Sequence, residues 1–75
     1  MSRTAEKRTE PGTPPLYEVI YAVLREHILD GSFAPGLVLG AAGVARAFNS
    51  SRVPAAAALQ RLRQEGLLRD RKSVV

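Results

Sequence analysis

Between Leu16 and Ile28 the apolar residues Leu16, Ile20, Val23, Leu24 and Ile28 recur at helical spacing, so this stretch predicts an amphipathic α-helix. Its predicted start is Thr13 as N-cap, with Pro14 at the first helical position, where a missing N–H costs nothing. Gly31 after Asp30 supplies the stop. Met1–Thr13 shows no apolar periodicity and is expected to be a disordered tail, leaving residues 14–75 as one domain.

The pattern then breaks at "SFAPGLVL", where Pro35-Gly36 fits the centre of a type II turn and Leu37–Leu39 a short extended segment. A second helix is predicted over Ala41–Phe48, with Gly40 as N-cap and Val44, Ala45 and Phe48 turned inward. Asn49 stands where a left-handed residue would end that helix. Ser51 is the expected cap of a third helix, with Pro54 in its first turn. Ala55, Ala58, Leu59 and Leu62 follow at i, i+3, i+4 and i+7, a core stripe that ends at Gly66 before Leu67-Leu68 return to the core. The last segment, "RDRKSVV", suits a short two-stranded ribbon but offers no glycine or asparagine for a tight turn.

Three helices, a three-residue turn between the second and third, and a basic ribbon make a winged helix-turn-helix, mainly α with a small β wing. In that motif the third helix enters the DNA major groove by its N-terminal end. The charge distribution agrees. The net charge is +4, and residues 52–75 alone carry six basic groups against Glu65 and Asp70. A positive field gathered at one end is the footprint of a nucleic-acid surface, although a solvated helix face gives the same count.

At this length a chain buries only about 60% of its unfolded surface, so stability must come from helix packing. There is no cysteine, which removes disulfides and Cys-type zinc sites and suits a reducing cytoplasm. The longest uncharged stretch, Phe33–Ala45, is too short to span a bilayer, and no membrane association is expected. His27 has no second histidine or cysteine to share a metal with. "GLVLGAAG" lacks the endings of a phosphate loop, and Ser50 and Ser51 lack a base. Neither an enzyme nor a cofactor is expected.

With these residues in order, "PLYEVIYAVLREHILDGSFAPGLVL" and "VARAFNSSRVPAAAALQRLRQEGLL" together resemble the N-terminal DNA-binding domain of GntR-type bacterial transcription regulators. The resemblance rests on Leu16-Tyr17-Glu18, Leu24-Arg25, Pro35-Gly36, Val44-Ala45, Ser51-Arg52, Pro54, Ala58-Leu59 and Glu65-Gly66-Leu67. It implies a DNA-binding transcriptional regulator that places the Ser51–Glu65 helix in the major groove of double-stranded DNA, as a homodimer or a heterodimer with another regulator. Such regulators often carry arginines at the positions of Ala42 and Ala56 and a glutamate at Ala57, so much of the implied contact surface is here reduced to methyls. The effector domain of those regulators is not expected on this chain, and with it no small-molecule effector.

The candidate DNA-contacting residues are Ser51, Arg52, Val53 and Gln60 on the third helix, and Arg69, Arg71 and Lys72 on the ribbon. Arg52, Ala56 and Gln60 share one helical face: arginine suits a guanine edge or a phosphate, glutamine an adenine, and alanine a thymine methyl. Each lost bidentate contact removes about 1–3 kcal/mol of discrimination. Arg61 is expected to pair with Glu65 at i, i+4, and both Arg61 and Arg63 to point away from the contact face. The competing expectation is a protein-interaction module. In it, alanines 55 and 58, beside 41–45, would admit another helix.

Overall fold

A computed structural model describes residues 14–69 and 73–75 and contains three helices, α1 (Leu16–Leu29), α2 (Ala41–Ala47) and α3 (Arg52–Gln64). The expected tail, with Thr13, lies outside the described residues, as do Arg71 and Lys72. α1 and α2 each pack against α3. The predicted stripe on α3 carries that packing: Ala55, Ala58, Leu59 and Leu62 are all buried, meeting Ile20 and Leu24 of α1 and Val44 and Ala45 of α2. Alanines at 55 and 58 allow close approach of the neighbouring helices, while Leu62 and Ile20 fill the centre. Leu68 closes the core from the far end, as the sequence predicts.

α1 begins later than expected. Pro15, not Thr13, is its N-cap, with extended dihedrals (φ −59°, ψ 153°), and its carbonyl accepts from the N–H groups of Glu18 and Val19. The physical reason is the Pro14-Pro15 pair: a residue before proline is pushed out of the helical region, so Pro14 cannot open the helix. Leu16, expected in the core, consequently sits at the rim with 45% of its surface exposed.

The helix ends follow the sequence closely. Gly31 and Gly66 have positive φ, and the non-glycine Asn49 adopts φ 55°. At the end of α2 the Ser50 N–H donates to the Ala45 carbonyl (2.8 Å) and the Asn49 N–H to Arg46 (3.1 Å), a Schellman closure. Gly66 and Leu67 close α3 in the same way onto Arg63 and Leu62. The predicted turn at Pro35-Gly36 forms, with Gly36 at φ +91° and the Leu37 N–H donating to Ala34. Ser51 has the extended backbone of an N-cap, but its side chain makes no capping bond. Pro54 occupies the third helical position, so the donor such a serine usually satisfies is missing.

The expected two-stranded ribbon is reduced to single antiparallel bridges among the described residues, Arg69 with Val74 and Val38 with Val74. Val74 exchanges both backbone bonds with Arg69 (2.7 and 3.0 Å), while Ser73 accepts from Leu39 (3.0 Å) and Val75 donates to Leu37 (2.8 Å). Among the described residues, pairing does not extend to Leu67 and Leu68, which turn into the core directly before Arg69. The segment also lacks the Asn-Gly or Asp-Gly pair that would extend a hairpin.

A polar latch joins α1 to the end of α3. The Tyr21 hydroxyl donates to Glu65 Oε1, Arg61 Nε lies 3.4 Å from Glu65 Oε2, and the Arg61 guanidinium sits 4.4 Å from the Tyr21 ring centroid. The bond from Tyr21, aided by Arg61, holds the Glu65 carboxyl below its ordinary value despite some desolvation. His27 stacks at a tilt against Phe33 with ring centroids 5.3 Å apart.

Two measurements check this packing. Leu62→Ala is expected to cost about 2–5 kcal/mol. A core this small rarely supplies more than about 3–5 kcal/mol in total, so urea titration should find the variant largely unfolded. The lowered Glu65 value means that its contribution is present at neutral pH and is lost as pH falls through the folded value. The melting temperature should therefore drop on acidification, and Tyr21→Phe should shrink that drop.

Candidate nucleic-acid interface

With one side of α3 committed to the core, the other is left open. Arg52 and Val53 stand at its first turn, Val53 with 78% of its surface exposed, and Ala56, Ala57 and Gln60 are exposed after them. At about 100° per residue, Arg52, Ala56 and Gln60 fall within roughly a quarter of the helix circumference. The Schellman turn of Asn49 and Ser50 closes α2 directly before α3 begins at Arg52. Ser51 is exposed at this corner, and the Ser50 hydroxyl donates to its carbonyl (3.0 Å). Ala42 and Gly43, on α2, are exposed as well.

The sequence expectation for Arg63 is corrected. Arg63 follows Arg52 by eleven residues, which returns it to the same face about 20° away. It lines a groove of about 380 Å³ together with Ala41, Ala56, Leu59, Val38 and Ser73. Its Nη1 donates to the Ser73 hydroxyl at 2.5 Å. Ser73 is buried, 3% exposed, and holds φ 56°. The periodicity that placed Gln60 on the face would also have placed Arg63. Nothing in the sequence marks Ser73 or its left-handed backbone.

Arg69 is exposed and fixed by its paired bonds with Val74. Arg61 is committed to Tyr21 and Glu65, on the opposite flank, as its expected pairing implies. Of the small-residue surface expected for a helical partner, Ala55, Ala58 and Ala45 are buried, while Ala42 and Gly43 are exposed. Ala55 and Ala58 are small because α1 and α2 already occupy that side.

Two helices joined by a tight turn, the second packed on one side and open along an arginine-bearing row on the other, define a helix-turn-helix domain. The chain belongs to the gntR family of bacterial regulatory proteins, whose family model matches residues 16–74. It is also 38% identical over 68 residues to the uncharacterized HTH-type transcriptional regulator YdfH of Escherichia coli O6:H1. That match covers 91% of this chain and 29% of the relative, so the chain spans under a third of that regulator's length.

The left-handed turn residue has a measurable consequence. Asn49→Ala places a methyl-bearing residue without asparagine's local hydrogen bonding at φ 55°, at a cost of about 1–2 kcal/mol. Asn49→Gly should leave thermal stability unchanged or raised. Calorimetry on the two variants separates backbone strain from any loss of side-chain contacts.

Proposed function

We propose that this domain binds double-stranded DNA as the reading head of a transcriptional regulator. The first half of α3 lies in the major groove, and the bridged segment around Arg69 acts as a reduced wing on the flanking backbone. The observation that carries this reading is the division of α3 into a fully buried stripe and an open row of Arg52, Val53, Ala56 and Gln60. A helix used only for packing gains nothing from displaying a valine at 78% exposure on its first turn.

Arg52 supplies the strongest contact, to a guanine edge or a phosphate, and Gln60 suits an adenine. Ser51 and Val53 flank Arg52 at the groove edge, while Arg69, Arg71 and Lys72 add phosphate contacts from the wing. With Ala42 and Ala56 carrying only methyls, the row offers fewer polar base contacts than three arginines would. Single modules of this size bury little DNA surface. The domain therefore works in pairs, as a homodimer or with another regulator, in the cytoplasm where bacterial DNA is read. No catalytic step or cofactor is part of this function.

A pool of genomic fragments, captured by the purified chain at two salt concentrations and sequenced, tests the reading. A shared motif is expected among the retained fragments, with half-site repeats marking the pair. Arg52→Ala should weaken retention by about 1–3 kcal/mol, roughly five- to 150-fold. Ala56→Arg should tighten it, since position 56 is open and lies on the same face. Capture of no DNA at either salt concentration would overturn the reading.

A further inference from the structure

We propose that Arg63 is a positioning residue for DNA binding: by holding the Ser73 hydroxyl it locks the Arg69 wing to the groove-facing side of α3. This rests on the DNA-binding reading above and adds to it the residue that sets the distance between its two contact points.

The geometry is specific. Arg63 is half-buried and stands on the same face as Arg52, about 16 Å further along the helix at about 1.5 Å per residue. A B-DNA major groove is about 12 Å wide. A contact held at that distance from Arg52 falls beyond the groove, on the flanking backbone. Ser73 is the neighbour of Val74, which pairs with Arg69, and its own carbonyl accepts from Leu39. Its backbone stays in the left-handed region, which disfavours a residue bearing a Cβ. The buried side chain in that conformation meets Arg63 Nη1 at 2.5 Å. Backbone bonds tie Arg69 to Val74, and Ser73 and Val75 to residues 36–39, but none of these bonds reaches α3. The Arg63–Ser73 bond is the side-chain link from α3 to this segment among the described residues.

Arg63 therefore acts through Ser73 and not by touching DNA. Its effect reaches the nucleic acid as the placement of Arg69 relative to Arg52.

Ser73→Gly gives a clean test. Glycine takes φ 56° without strain, which offsets part of the cost of losing the hydroxyl that Arg63 holds. The unsubstituted chain, Ser73→Gly, Arg63→Ala and the double variant are titrated against one captured genomic fragment over a salt series. Hydrogen exchange at the Val74 amide is followed in parallel, without DNA. Each single variant should bind about fivefold more weakly, with a salt slope shallower by about 0.9, the loss of one phosphate contact. Val74 exchange should quicken in both, and the double variant should bind no worse than the weaker single. Native-like affinity in Ser73→Gly, unchanged Val74 exchange or additive losses would each overturn the positioning role while leaving DNA binding intact. A native chain that binds no fragment at all would instead remove the reading on which the role rests.

Discussion

Everything in this domain depends on one stripe of α3. Ala55, Ala58, Leu59 and Leu62 receive α1 on one side and α2 on the other, and both outer helices take their positions from that contact. The two alanines matter as much as the leucines, because their small size lets the neighbouring helices seat closely. Once the stripe is buried, the orientation of the opposite face is no longer free. Arg52, Val53, Ala56 and Gln60 are exposed because Ala55, Ala58 and Leu59 are not.

That constraint separates two kinds of alanine in one run. Ala55 and Ala58 hold the fold together, whereas Ala56 and Ala57 lie exposed on the open side of the same helix. The domain keeps the scaffold of the gntR family and presents a face with Arg52, Gln60, the half-buried Arg63 and several methyls. Alanine is also the best helix former, so the exposed pair adds helical propensity to a chain with little stability to spare. Weak polar contact and sturdy local structure are thus two results of the same residues.

The fold was legible in the sequence wherever spacing or backbone chemistry left a mark. The α3 stripe, the Pro35-Gly36 turn, Asn49 in the left-handed region and the Gly66 stop all follow from residue types at particular offsets. The start of α1 departs from expectation because Pro15 restricts the backbone of Pro14, an effect that neither proline shows singly. The ribbon shrank to single bridges because strand length depends on where Leu67 and Leu68 turn inward, which is a tertiary event. Site residues on α3 were readable from helical period, Arg63 included, had the period been carried one more turn. Ser73 was not: a buried serine with positive φ is set by the partners around it. Tyr21 escaped for the same reason, since its bond to Glu65 spans 44 positions in sequence.

The most direct measurement is a backbone-amide NMR titration of the chain with a captured DNA duplex. The largest shifts are expected on Arg52, Val53, Ala56, Gln60 and Arg69, while Glu26 and Leu29 on the outer side of α1 stay still. Shifts gathered on α1 instead, or none along the open row of α3, would contradict DNA binding through α3.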